Sequence, residues 1–105
     1  MKTRETYYNL EELQMAKKKV KAMPITVSKK AGYKTLAWHF KDLLDELCSI
    51  NKYLFYYEYH SEFRHFLRMV EEDYKTTTKE QMGIYAKHLK KVIYRTLTQM
   101  EEYAK

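Results

Sequence analysis

The stretch His39–Tyr74, HFKDLLDELCSINKYLFYYEYHSEFRHFLRMVEEDY, decides the fold. It holds no Gly and no Pro, and its centre carries Tyr53, Phe55, Tyr56, Tyr57, Tyr59, Phe63 and Phe66. Leu36, Phe40, Leu43, Leu47, Ile50 and Leu54 recur at alternating steps of four and three, which is one face of an α-helix. That spacing predicts a helix over 35–50. Ser49 and Asn51 mark a break, with Asn51 placed to cap the next helix. The run YLFYYEY over 53–59 has the composition of a strand. No second long strand-like run exists to pair with it, so a helix over 52–73 is expected, with a break near His60–Ser61 left open. Rings on nearly every side of that helix predict contacts on several sides.

Working outward, Thr76-Thr77-Thr78 is the clearest punctuation downstream. Thr77 with Glu80, or Thr78 with Gln81, has the spacing of a capping box. A final helix over 78–103 comes next. Met82, Tyr85, Ala86, Leu89, Val92, Ile93, Thr96, Leu97, Met100 and Tyr103 form its apolar face. Upstream, Asn9 reads as an N-cap with Glu12 as its capping-box partner. A helix over 10–22 then carries Leu10, Leu13, Ala16, Val20 and Met23 on one stripe. Glu11 and Glu12 at its start and Lys17, Lys18, Lys19 and Lys21 towards its end both suit the helix dipole. Pro24 pushes Met23 out of the helical region and ends it. Residues 1–8 read as loosely ordered.

Residues 24–34, PITVSKKAGYK, leave alternatives open. Ser28 could cap a short helix or turn that Gly32 ends. Alternatively, Ile25–Val27 and Tyr33–Leu36 could pair as a small hairpin. The expected architecture is therefore all-α: one domain over 1–105, a small bundle of four or five helices, with a short hairpin or turn near 25–36.

The chain has 105 residues with two Gly, one Pro, eleven Tyr and a net charge of +6. The charge is segregated. Lys and Arg outnumber Asp and Glu ten to three over 1–41 and seven to three over 74–105, but are outnumbered three to eight over 42–73. Cys48 is the one cysteine, which excludes an internal disulfide and suits a reducing, cytoplasmic setting. No stretch has the apolar length of a membrane span, so no membrane association is expected.

The residue patterns offer no catalytic centre. Cys48 lies beside the Leu47/Ile50 stripe, where a lone cysteine packs as a small hydrophobe. There is no Gly-rich phosphate loop and no Gly-x-Ser-x-Gly elbow. Glu62 and His65 make one Glu-x-x-His, but the second copy a di-iron bundle needs is missing. No metal, cofactor or enzyme activity is expected. The basic residues point elsewhere. Lys17, Lys18, Lys19 and Lys21, then Lys29, Lys30 and Lys34, then Lys87, Lys90, Lys91 and Arg95 form clusters of the kind that neutralise phosphates.

Residues 25–47, ITVSKKAGYKTLAWHFKDLLDEL, resemble the helix-turn-helix of TetR-type repressors. The matching positions are Ile25-Thr26-Val27, Ala31-Gly32, Leu36, His39-Phe40-Lys41 and the leucines Leu43, Leu44 and Leu47. The resemblance implies DNA binding, with Lys29, Lys30, Tyr33, Lys34, Thr35 and Trp38 near the DNA.

The expected function is non-enzymatic nucleic-acid binding by a small regulator of bacterial, plasmid or phage context. The alternative is a phage or mobile-element protein that binds and inhibits a host or defence protein, as anti-CRISPR proteins do. Its partner or homodimer interface would be the Tyr-rich, acidic surface of Tyr53, Tyr56, Tyr57, Glu58, Tyr59 and Glu62, because Tyr anchors interface hot spots.

Overall fold

The computed structural model describes residues 8–103, apart from the side chains of Tyr57, Glu58 and His60. The expectation of a loosely ordered start falls almost wholly on residues 1–7, outside the described residues. The fold is all-α. Four α-helices run in the order α1 Leu10–Ala22, α2 Gly32–Leu47, α3 His60–Val70 and α4 Lys79–Met100. A π-helix, Tyr53–Glu58, precedes α3, and a 3-10 turn, Glu101–Tyr103, comes after α4. Among the described residues there is no extended strand, so neither the hairpin near 25–36 nor a strand over 53–59 forms.

The chain divides into two compact units: Met1–Met23 with Lys90–Lys105, and Pro24–Leu89. In the first unit, α1 pairs with the C-terminal half of α4. Asn9 caps α1 through its side-chain oxygen, which accepts from the Glu12 N–H at 3.0 Å. Leu13, Ala16 and Val20 are buried. Leu10, expected on the same stripe, is 40% exposed because it occupies the first, fraying position of the helix. Ile93, Leu97 and Met100 are the buried residues on the α4 side, whereas Tyr103, expected among them, is exposed beyond the helix end.

The second unit is built on aromatic packing. Phe66 of α3 is fully buried. Tyr33 and Phe40 of α2 meet its ring edge-on at 6.5 and 5.7 Å, and Tyr85 of α4 stacks on it at 6.1 Å. Edge-to-face and offset-stacked arrangements are the ones the ring quadrupole favours. The Tyr85 hydroxyl donates to the Glu62 carbonyl at 3.3 Å, and burial pushes its pKa above the ordinary phenol value. Thr78 and Gln81 form the reciprocal capping box of α4. The Thr78 N–H donates to the Gln81 side chain at 2.8 Å, and the Gln81 N–H to the Thr78 hydroxyl at 3.0 Å.

Helix α2 begins at Gly32, earlier than the expected 35, and Gly32 opens a helix instead of ending one. A turn of Lys29–Ala31 leads into it, with the Gly32, Tyr33 and Lys34 N–H groups donating to the carbonyls of Lys29, Lys30 and Ala31. A Cβ on Gly32 would lie 3.1 Å from the Val27 Cβ, a tight contact that the Val27 side chain would have to relieve by a few tenths of an ångström. The segment that resembles a helix-turn-helix thus holds one helix, α2, preceded by irregular chain over 23–31.

The aromatic run departs most from expectation. Asn51 does cap it, accepting from the Leu54 N–H at 3.0 Å. The capped segment is a π-helix rather than an α-helix, and the break falls at Tyr59. A π-turn is wider than an α-turn and is rare outside short insertions. Phe55 and Tyr59 end up stacked at 5.8 Å and buried.

Candidate nucleic-acid interface

The lysines expected to bind phosphates fall into two kinds. In the first unit, Lys17 and Lys90 are held by the protein itself. The Lys17 ammonium donates to the Glu101 carboxylate at 2.8 Å and lies 5.0 Å from the Tyr94 ring centroid. The hydrogen bond to Glu101 raises its pKa above the usual lysine value, against a lowering by burial. The Lys90 ammonium donates to the carbonyls of Lys21 at 3.0 Å and Met23 at 2.6 Å. These belong to the end of α1, where carbonyls have no partner within the helix. Lys90 therefore caps α1, and a cation there also suits the negative end of the dipole.

These contacts fix the geometry of the pair. Residues 21–23 meet 90, whereas residue 17 meets 94 and 101, so α1 and α4 run antiparallel. Lys17 and Lys90 lie in the seam. Lys18 and Lys21 on α1, and Lys91 and Arg95 on α4, step out of the seam on the side away from Val20 and Ile93. All four are exposed. No ion pair or hydrogen bond engages these four side chains among the described residues. Along the pair, Lys21 is level with Lys91 and Lys18 with Arg95, the α1 and α4 residues lying on the sides of their helices turned away from the buried seam. Lys19 is also exposed but has a partner. The described residues of this unit carry seven Lys and Arg against four Glu, whereas Pro24–Leu89 carries ten against nine Asp and Glu. The excess positive charge thus concentrates on the α1–α4 pair.

In the second unit about half of the basic residues are engaged in structure, whereas Lys29, Lys52, Arg64, Lys75 and Lys87 are exposed with no side-chain partner among the described residues. The Lys30 and Lys34 ammonium groups lie 4.6 and 4.4 Å from the Tyr74 ring centroid. Such cation–π contacts hold the cation near the ring face. Lys79, which no residue pattern singles out, donates to the Ser28 carbonyl at 3.0 Å. Lys29 is exposed beside a shallow groove of about 590 Å³ that Val27, Thr35 and His39 also line. Lys87 is exposed on α4. Of the residues that the helix-turn-helix resemblance would put near DNA, Tyr33 is buried in the core, and Thr35 and Trp38 are exposed. No signal in the sequence separates structural from uncommitted lysines, because the acceptors are distant in the chain or are backbone carbonyls.

The expected Tyr-rich interface is divided as well. Tyr53 and Tyr56 are exposed, at 68% and 47%. Tyr59 is buried against Phe55 and cannot serve as a surface anchor. Glu62 is half-buried, and the side chains of Tyr57 and Glu58 lie outside the described ones. Among the described residues, no three His, Cys, Asp or Glu side chains converge as a metal site would require. Nor, among them, is any helix long and apolar enough to cross a membrane. Burial raises the Cys48 thiol pKa above its ordinary value, with Asp45 adding to the rise. A thiol held protonated is a poor nucleophile.

No protein-family model, curated protein or solved structure matches this chain, so the likeness of residues 25–47 to TetR-type repressors rests on those residues alone.

Proposed function

We propose that the chain is a non-enzymatic nucleic-acid-binding protein whose uncommitted cations, on the outer sides of α1 and of the C-terminal half of α4, contact phosphates. The observation that carries this reading is the group Lys18, Lys21, Lys91 and Arg95, all exposed and without intramolecular partners among the described residues. Their unpartnered state contrasts with Lys17 and Lys90, which the fold consumes. Exposed cations without carboxylate neighbours release condensed counterions when they meet phosphates, which is the main source of backbone affinity. Backbone contacts position a protein without reading sequence. Duplexes of unrelated sequence should therefore bind within a few-fold of one another. A small regulator of bacterial, plasmid or phage origin fits a binding role of this kind.

The test is anisotropy of labelled duplexes and single strands at low salt, with wild type and a variant in which the four cations become Gln. Binding by wild type and its loss in the variant support the reading. No binding by wild type, or equal binding by both, overturns it.

A second reading is favoured by Trp38 and Tyr53, which are 54% and 68% exposed on the second unit. Rings of this kind anchor protein interfaces, as an inhibitor of a host or defence protein would need. Trp38→Ser with Tyr53→Ser would then abolish a growth or defence phenotype of the expressed chain that the four-cation variant retains. Retention of that phenotype by the ring variant would exclude it.

A further inference from the structure

Trp38 stands on α2 opposite the side that Leu36, Phe40, Leu43 and Leu47 bury. It is 54% exposed, and its indole makes no hydrogen bond, ring contact or cation contact among the described residues. One turn earlier on the same side of the helix stands Lys34. The Lys34 and Lys30 ammonium groups lie 4.4 and 4.6 Å from the Tyr74 ring centroid, so one ring holds two cations close together. Neither has a carboxylate partner among the described residues. The ring fixes where the cations sit but supplies no oxygen, so their N–H donors stay free for an acceptor on the outer side. Beyond Trp38 the charge differs. Lys41 is committed to Asp45 at 3.0 Å, and Asp42 is exposed. Uncompensated positive charge therefore lies only on the Lys30–Lys34 side of the indole.

We infer that this surface takes a short single-stranded segment, with one base stacked on Trp38 and a neighbouring phosphate on Lys30 and Lys34. The chemistry selects the occupant. A single strand offers a flat π-face and a phosphate in every unit, and stacking on an aromatic ring tolerates any base. A duplex keeps its base faces inside the stack and meets the cations alone. A protein anchor needs the ring but not the two uncompensated cations beside it. The inference rests on the nucleic-acid reading, but it uses none of Lys18, Lys21, Lys91 and Arg95. Every residue it invokes lies within Pro24–Leu89.

Trp38 is the one tryptophan, so its emission, excited at the red edge where tyrosine does not absorb, reports this site directly. The full chain is titrated with a short oligothymidylate, with an abasic strand of the same length and with a duplex of the same length. Saturable quenching by oligothymidylate is expected, with little from the abasic strand or the duplex. By anisotropy of the labelled strand, Trp38→Leu should weaken oligothymidylate at least about fivefold, the lower end of what one stacked base contributes. The same variant should leave abasic affinity unchanged. Lys30→Gln with Lys34→Gln should weaken both strands. If the duplex fails to bind while oligothymidylate still quenches, the α1 and α4 cations lose their role and this site stands. Absence of quenching, equal quenching by the abasic strand, or undiminished binding of oligothymidylate by Trp38→Leu would each overturn the inference. The last result, with loss of a growth or defence phenotype in the same variant, would give Trp38 to a protein partner instead.

Discussion

Replacing Lys90 by Met separates a structural lysine from a phosphate-binding one. Lys90 sits in the basic run that the sequence marks for nucleic acid, yet its ammonium donates to two carbonyls at the end of α1. Met keeps the apolar stem and removes the charge. Hydrogen bonds to charged groups contribute about 1.5–3 kcal/mol where the acceptor cannot find another donor. The Lys21 acceptor lies at the exposed end of a helix, where water can replace the ammonium, so the lower part of that range applies. A loss of about 1.5–2 kcal/mol is expected. For a chain of this size, 1 kcal/mol lowers Tm by about 4–5 °C, so Lys90→Met should melt about 6–10 °C lower. Its affinity for duplex at a temperature where both proteins are folded should stay within twofold of wild type. Lys91→Met should do the reverse: little change in Tm and a clear loss of affinity. If Lys90→Met melts with wild type and binds duplex as weakly as Lys91→Met, the division of the lysines is wrong.

Two further outcomes arise from the packing and the charges. Gly83→Ala places a Cβ 2.8 Å from the Tyr33 hydroxyl, and Tyr33 is buried edge-on to Phe66. The helix gains about 1 kcal/mol from the loss of glycine, while overpacking a filled core costs about 1–3 kcal/mol. The single variant should therefore be no more stable than wild type, and Gly83→Ala with Tyr33→Phe should be more stable than Gly83→Ala alone in urea melts. Lys17, whose folded pKa is raised from 10.5, contributes stability that is fully present below that value and lost as pH rises through the folded pKa. Wild type should lose more stability than Glu101→Gln on going from neutral pH to above about pH 10.5, and parallel losses would refute the pairing.

Much of the fold is legible because it depends on local patterns. Asn9, Asn51 and the Thr78–Gln81 pair each form the cap their spacing predicts, since a cap needs only neighbours within one turn. The π-helix was not legible. The run Tyr53–Tyr59 has strand-like composition and is read as helical only for want of a pairing strand, and apolar residues on nearly every side leave no periodicity that would distinguish a wide turn from an ordinary one. Gly32 misled for a related reason: a glycine that closes a helix and one that opens a helix close to Val27 look alike in sequence. The candidate site was half legible. Clustering marks the lysines, but which are consumed depends on Glu101 and Tyr94, far along the chain, and on the Lys21 and Met23 carbonyls, which no residue pattern reveals.

The most direct test is the salt dependence of duplex binding, compared between wild type and the variant with Lys91 and Arg95 both changed to Gln. If Lys18, Lys21, Lys91 and Arg95 each neutralise one phosphate, log K falls by about 3.6 per tenfold rise in salt, or about 150-fold in affinity between 50 and 200 mM. The double variant should then show a slope of about 1.8. An unchanged slope, or a wild-type affinity indifferent to salt, would contradict the assignment of these cations to phosphates.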